Sequence, residues 1–125
     1  MEKSFEQRVA EAQAAVIAIT PKEASEAKKC NPTTIFIDPR SSEDIKSTTG
    51  IIPGALSLPL DEISKRSDKD LIDEFQLTSR PIIASCQGGP MGALAAYALL
   101  QRGFKNVFYI EGGTQGWLDA GFTTN

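Results

Sequence analysis

One cysteine lies in a glycine-rich segment between an apolar run and a helix-forming run. Residues 81–92 read Pro-Ile-Ile-Ala-Ser-Cys-Gln-Gly-Gly-Pro-Met-Gly and continue into Ala-Leu-Ala-Ala-Tyr-Ala-Leu-Leu. A strand, a tight turn and a helix start would place Cys86 at the carboxyl end of the strand, beside backbone N–H groups that the first helical turn cannot bond internally. Such groups stabilise a thiolate, a persulfide or a bound oxyanion. The segment therefore predicts a reactive thiol in an anion-binding loop.

The alternative interpretation of Cys86 is a buried thiol that only packs, since free cysteine is among the most buried residue types. Packing alone does not require Gly88, Gly89 and Gly92 so close to the thiol. Glycine costs backbone entropy and is placed where a side chain would block an approach. We therefore favour the functional interpretation.

The second cysteine, Cys30, follows a predicted helix and is expected to be dispensable.

Composition narrows the chemistry available to this thiol. The chain has 125 residues and 41% hydrophobic content, which suits one domain with one core. A net charge of -3 argues against a nucleic-acid surface, and no apolar run is long enough for a membrane span. The charged start predicts a cytoplasmic protein. The chain has no histidine, which removes a Cys–His dyad and the usual zinc sites, so we expect no metal or cofactor.

The first eighteen residues form a predicted amphipathic helix. Helical spacing from 2 to 18 aligns five apolar residues on one face: Phe5, Val9, Ala12, Val16 and Ile19. The helix either packs on the domain or serves as a partner-binding arm, and we favour packing. The Thr-Pro-Lys-Glu sequence at 20–23 is a capping box that starts a second helix, which is expected to end near Lys29.

Short β-branched and aromatic runs alternate with helix-forming segments along the rest of the chain. Strands are expected at 33–38, 56–58, after Pro81 and at 106–110, with short helices at 41–47 and 93–101. The mixed charges at 65–70 favour a solvated helix face or loop. The alternation predicts an α/β fold with a mainly parallel sheet and helices on both faces. Trp117, in the last short helix, is expected to anchor the core.

A polar pair follows the first of these strands. Asp38 ends that strand and Arg40 comes two positions later, after a proline. In open α/β sheets, ligands bind at the carboxyl ends of the strands, so both side chains are candidates for supporting the Cys86 site. The alternative is a turn-forming aspartate with a surface arginine as its partner. Composition alone leaves these two interpretations open.

Four segments in order resemble the rhodanese homology domain. They are Ile-Asp-Pro-Arg at 37–40, Gly-Ile-Ile-Pro-Gly-Ala at 50–55, the strand, cysteine, loop and helix at 81–102, and Asn-Val-Phe-Tyr-Ile-Glu-Gly-Gly-Thr-Gln-Gly-Trp at 106–117. The resemblance spans about Ile19 to Phe122, so the expected organisation is an N-terminal helix at 1–18 followed by a rhodanese-like domain at 19–125.

The resemblance implies a sulfurtransferase or persulfide carrier. In that family a cysteine takes sulfane sulfur from a donor and passes it to a thiophilic acceptor, which is a small thiol or a protein. The position that matches this cysteine is Cys86. The loop that holds the donor would consist of Cys86, Gln87, Gly88, Gly89, Pro90 and Met91.

This chain departs from the family pattern at positions that bear on its activity. Many active members carry basic residues where this chain has Gln87 and Met91, which weakens the case for thiosulfate as donor. Ile51 replaces a histidine that generally supports structure. A non-catalytic, partner-binding module is the main alternative function. A cysteine phosphatase or arsenate reductase is less favoured, because Gly92 stands where a phosphatase loop needs an arginine.

Overall fold

A parallel β-sheet forms the centre of the protein in the computed structural model, which describes residues 3–67, 69–71, 80–88 and 90–125. Its strands are β1 (Ile17–Ile19), β2 (Ile35–Asp38), β3 (Leu56–Ser57), β4 (Ile82–Ala84) and β5 (Val107–Ile110). They lie in the order β1-β5-β4-β2-β3, and each described pairing is parallel. The carboxyl ends of β2 and β4 are therefore neighbours at one edge of the sheet.

Helices precede, connect and follow these strands. They are α1 (Phe5–Ala15), α2 (Pro21–Cys30), α3 (Ser42–Ser47), α4 (Leu60–Lys65), α5 (Pro90–Gln101) and α6 (Gly113–Asp119). Capping boxes begin α1 and α2, where the side chains of Ser4 and Thr20 each accept a bond from the backbone N–H of the third helical residue. No helix in the described part of the chain is long and apolar enough to cross a membrane.

Apolar side chains from both sheet faces form two core clusters. Ile37 and Ala84 point to the face covered by α1, α4 and α5, whereas Phe36 and Ile83 point to the face covered by α2 and α6. Trp117 belongs to the second cluster, as predicted, and its ring lies 5.8 Å from that of Phe36. The predicted α/β fold, a parallel sheet with helices on both faces and a preceding N-terminal helix, is confirmed.

The first predicted helix was extended too far. It ends at Ala15, Val16 is already extended, and Ile17–Ile19 form β1 beside β5. Ile19 is therefore not on the helix face. The β-branched residues at 16, 17 and 19 favour a strand, and pairing with β5 overrides the helical spacing. Phe5, expected on the packed face, is 56% exposed.

Other element boundaries differ less. Helix α5 begins at Pro90, three residues before the predicted start, because proline suits the first helical position. Helix α4 was not predicted, and it includes Lys65 from the charged run. That run is solvated where it is described, since Lys65 and Asp70 are exposed, while residue 68 lies outside the described residues. Cys30 is exposed at the last position of α2.

Candidate functional site

The candidate nucleophile lies just beyond the end of a central strand. Cys86 follows β4 after Ser85, whose backbone N–H donates to the carbonyl oxygen of Ile37 at 3.0 Å and so continues the pairing with β2. Asp38 ends β2 at the same edge. The parallel pairing thus places Asp38 and Cys86 at the same edge of the sheet. Cys86 forms no disulfide, and its side chain is 3% exposed.

Helix α6 holds the loop that contains Cys86 through backbone hydrogen bonds. The N–H of Thr114 donates to the carbonyl oxygen of Cys86 at 2.6 Å, and that of Gln115 donates to Gln87 at 3.0 Å. These donors belong to the first turn of α6, where helical N–H groups have no internal partner. Two loop carbonyl groups are therefore directed at α6.

The planarity of the peptide bond then fixes the direction of the N–H group in each of these two peptide units. The described chain contains no cis peptide bond, so each loop C=O is antiparallel to the N–H of the next residue. The N–H groups of Gln87 and Gly88 consequently point away from α6. Both residues line a cavity that they share with Cys86. Neither of these two N–H groups is therefore used to hold the loop against α6.

Close backbone packing explains two glycines at the site. Gly113 has φ +63°, and a Cβ there would lie 2.5 Å from the carbonyl oxygen of Cys86 and 2.8 Å from that of Gln87. In the first turn of α5, a Cβ on Gly92 would lie 3.3 Å from the carbonyl oxygen of Ala84. Glycine at both positions lets α5 and α6 approach the loop closely.

Buried hydroxyl groups add a second connection between the loop and α6. Ser85 Oγ and Thr114 Oγ1 are 2.7 Å apart, and both residues are buried. Ser85 Oγ also lies 3.4 Å from the carbonyl oxygen of Cys86. Each hydroxyl can donate to the other or to a nearby carbonyl, so neither is left unsatisfied. The pair fixes the strand end from which the loop starts.

Asp38 and Arg40 form a buried ion pair beside the loop. Arg40 Nε and Nη2 donate to the two carboxylate oxygens at 3.0 and 2.7 Å, in a bidentate arrangement. The remaining bonds of the guanidinium go to Thr48 Oγ1 at 2.9 Å and to the carbonyl oxygen of Gly50 at 3.2 Å. The side chains of Arg40 and Asp38 are only 4% and 2% exposed, respectively. Arg40 is thus not a surface partner of a turn residue. It is buried, and its hydrogen bonds link residues 38, 48 and 50.

A cavity of about 440 Å³ opens over these groups. Its described lining residues come from five segments: Phe5, Arg40, Asp44, Thr48, Cys86, Gln87, Gly88, Pro90 and Met91. The chain therefore brings Cys86, four loop residues and Arg40 to one cavity. Asp38 is not among the lining residues but is paired with Arg40. Gly89, the other loop residue named from the sequence, lies outside the described residues.

Sequence reasoning missed the supporting role of α6. The Gly-Gly pair at 112–113 was interpreted only as a turn before a helix. The available signal was two consecutive glycines at a helix start, which indicate a close backbone approach and have positive φ in the structure. The segment that they approach, the Cys86 loop, could not be predicted from the neighbouring residues because it is distant in sequence. Ser85 and Thr114 gave no distinctive signal.

Comparison with known proteins identifies the family. A family model described as the rhodanese-like domain matches residues 20–120. The chain belongs to the rhodanese-like domain family. The resemblance deduced from the four sequence segments is therefore confirmed, and α1 lies outside the matched residues.

Relatives of this rhodanese-like chain include a named sulfurtransferase. The chain is 35% identical over 89 residues to the adenylyltransferase and sulfurtransferase UBA4 of Meyerozyma guilliermondii, an alignment that covers 70% of this chain. It spans only 20% of that protein's length. The family and this relative support a function related to sulfur transfer.

Two solved structures resemble the whole chain. A Rhodopseudomonas palustris protein of unknown function, described as a possible tyrosine phosphatase, has a TM-score of 0.82 at 26% identity, covering 100% of this chain and 96% of that one. The polysulfide-sulfur transferase homodimer from Wolinella succinogenes has a TM-score of 0.72 at 25% identity, covering 97% and 86%. Both similarities extend beyond residues 20–120 and therefore reach into the N-terminal segment.

Proposed function

We propose that this chain is a sulfurtransferase or persulfide carrier that moves sulfane sulfur through a persulfide on Cys86. The observation that carries the proposal is the position of this cysteine at a strand end, in a cavity lined by residues of its own loop. Membership of the rhodanese-like family supports the same chemistry. The named sulfurtransferase relative and the similar polysulfide-sulfur transferase add to that support.

In the first proposed step, the Cys86 thiolate attacks the outer sulfur of a donor. A sulfur–sulfur bond forms on Cys86, and the bond between the outer sulfur and the rest of the donor breaks. The electron pair of that bond leaves with the donor remainder, so no external oxidant or reductant is needed. The proposed products are a Cys86 persulfide and the desulfurated donor.

The loop N–H groups would stabilise the charge on the persulfide. Gln87 and Gly88 present donors on the side opposite α6, and the first turn of α5 contributes N–H groups from Met91 and Gly92 that a helix cannot bond internally. Backbone dipoles fixed by α6 need no reorganisation when the charge moves to the terminal sulfur. Asp38 and Arg40 would act indirectly, by holding the neighbouring loop.

In the second proposed step, an acceptor thiolate or another thiophile attacks the terminal sulfur. The sulfur–sulfur bond breaks, and its electron pair returns to Cys86 as a thiolate. The acceptor is proposed to be a small thiol or a protein. The cycle then begins again with no cofactor.

The proposal is tested by following sulfur transfer from a polysulfide to cyanide, which accepts sulfane sulfur as thiocyanate. Cys86→Ala should lower the transfer to the rate of polysulfide and cyanide without protein, whereas Cys30→Ser should leave it unchanged, because Cys30 is exposed at the last residue of α2. Thiocyanate formation at the native rate by Cys86→Ala would refute the proposal. Loss of transfer in Cys30→Ser would show that a second thiol takes part.

A non-catalytic, partner-binding role is the competing proposal. It is favoured by Gln87 and Met91, which provide no side-chain cation to the loop. The transfer assay separates the two functions, since a binding module would produce no thiocyanate above the level of Cys86→Ala.

A phosphatase role is not proposed. Position 92 lacks the required arginine, and a Cβ there would lie only 3.3 Å from the carbonyl oxygen of Ala84.

A further inference from the structure

An aromatic side chain from outside the matched family residues lies at the mouth of the Cys86 cavity. Phe5 is the first residue of α1, remains 56% exposed and lines the cavity with Pro90 and Met91. Leaving a phenyl ring this exposed forgoes much of the stabilisation that burial would give. The ring therefore offers apolar surface to whatever enters the cavity.

Helix α1 is held in a fixed position against α5. Its Ala12 and the adjoining Val16 are buried in the same core cluster as much of α5. Glu11 accepts a hydrogen bond from Tyr97 Oη at 2.9 Å and also pairs with Lys3. The bonds from Lys3 and Tyr97 lower the pKa of Glu11, as expected for a carboxylate that both groups stabilise.

The contacts place the starts of both helices at the cavity. Phe5 shares the cavity lining with Met91, and Glu11 bonds to Tyr97, so the second pair lies six positions after the first on each helix. Six residues advance an α-helix by about 9 Å. Helices α1 and α5 therefore run side by side in the same direction, and both begin beside Cys86. The position of the Phe5 ring depends on this packing rather than on a free arm.

The charged residues of the cavity do not favour a small dianion. The acidic residue Asp44 is among the lining residues. Arg40 is the cationic residue among the described lining residues, but four of its N–H groups are already bonded to Asp38, Thr48 and Gly50. The positive charge of Arg40 attracts a ligand only weakly, because the Asp38 carboxylate neutralises that charge at close range. The described lining therefore combines apolar residues with an arginine whose charge is already neutralised by Asp38.

We propose that Phe5 determines donor specificity, by favouring sulfane-sulfur donors that carry an apolar organic group over those that are small and inorganic. This inference rests on the proposed sulfur transfer through Cys86. The organic group would lie against Phe5, Pro90 and Met91 while its outer sulfur reaches Cys86. The phenyl ring would contact the donor only, so Phe5 is a specificity residue and takes no part in the bond changes.

Two thiosulfonates form a matched pair of probes. Benzenethiosulfonate and methanethiosulfonate carry the same charge and the same reactive sulfur, but they differ in the size of the apolar group. Attack by the Cys86 thiolate on the outer sulfur of either probe forms the persulfide and releases the corresponding sulfinate, which takes the electron pair. The two sulfinates also differ as leaving groups, but this difference is the same for every variant. A change in the kcat/KM ratio of the two probes on substitution therefore reports on contact with the organic group.

The test compares both probes in the native chain, in Phe5→Ala and in Ile17→Ala. Ile17 is a control because it is 64% exposed on β1 and is not among the described lining residues. Phe5→Ala should lower kcat/KM for benzenethiosulfonate by about two- to ten-fold, the range expected for one aromatic contact, and change methanethiosulfonate less than two-fold. Phe5→Leu should retain part of the preference. Ile17→Ala should change neither probe.

Each result decides the inference. Equal effects of Phe5→Ala on both probes, or no effect on either, would overturn the specificity role while leaving the Cys86 persulfide intact. If polysulfide forms a persulfide on the native chain, as read by intact mass, but neither probe does, the inference is overturned and the proposed function stands. If polysulfide forms none either, the proposed function itself fails. Circular dichroism of Phe5→Ala controls for folding, and Phe5→Leu provides the same comparison in a variant that keeps an apolar side chain at the start of α1.

Discussion

The backbone N–H of Thr114 donates to the carbonyl oxygen of Cys86 across 2.6 Å. This bond joins the start of α6 to the loop that follows β4, two segments far apart in sequence. With the bond from Gln115 to Gln87, it sets the orientation of two successive peptide units. The directions of the loop's N–H groups therefore depend on α6 as much as on the loop's own residues.

Gly113→Ala is expected to damage both stability and sulfur transfer. The new Cβ would lie 2.5 Å from the carbonyl oxygen of Cys86, at a residue with φ +63°. The left-handed conformation costs a non-glycine residue about 1–2 kcal/mol, and displacement of the loop should add about 1–3 kcal/mol. Urea denaturation and the thiocyanate assay measure the two effects.

Gly103→Ala is the matched control for that variant. Gly103 also has a positive φ, +98°, but nothing lies within 4 Å of the position that its Cβ would occupy. This variant should show the conformational cost of about 1–2 kcal/mol alone and retain native transfer activity. Equal stability losses in both variants, with activity intact in both, would show that contact with Cys86 does not constrain residue 113.

The hydroxyl pair should behave as a coupled unit. Ser85 Oγ and Thr114 Oγ1 are buried and 2.7 Å apart, so Ser85→Ala or Thr114→Val alone removes a partner from the other hydroxyl. Each single variant should lower the free energy of unfolding by about 1–3 kcal/mol. The double variant should lose less than the sum, with a coupling of at least about 0.5 kcal/mol. Strictly additive losses would mean that the pair is not a stabilising contact.

Arg40→Met should be strongly destabilising, because it leaves the Asp38 carboxylate buried without its counterion. The pair is nearly inaccessible to solvent, and loss of one partner in such a site costs about 3–5 kcal/mol. Arg66→Met is the control, since Arg66 pairs with Glu62 at 3.8 Å on the surface and should cost at most about 1 kcal/mol. Similar losses for both variants, measured by urea denaturation, would contradict the structural role given to Arg40.

Met91→Arg should improve the use of thiosulfate. Met91 lines the Cys86 cavity, where a guanidinium could form charge-assisted bonds to the dianion worth about 1.5–3 kcal/mol each. We expect kcat/KM for thiosulfate to rise about ten- to a hundred-fold, with little change for an uncharged organic polysulfide. Gln13→Arg, at an exposed position of α1, controls for the added net charge. An equal gain with both donors would show that the missing loop cation does not set donor preference.

The sequence was sufficient to predict the features that depend on local signals. Strand β4, the cysteine at its end and the helix after the glycines follow from residues 81–102 alone, and the capping box of α2 marks its start. The edge strand β1 was missed because three residues carry little periodicity and β5, their partner, is distant in sequence. For the same reason, neither the contact of Gly113 with the loop nor the position of Phe5 at the cavity could be predicted.

The most direct test of the account is the intact mass of the native chain after brief exposure to polysulfide and removal of the excess donor. We expect a gain of one sulfur atom, which should map to the peptide containing Cys86 and disappear when cyanide is added. Cys86→Ala should gain no sulfur, whereas Cys30→Ser should gain as much as the native chain. A stable mass with no added sulfur, or sulfur added only to the exposed Cys30, would contradict the assignment of Cys86 as the carrier.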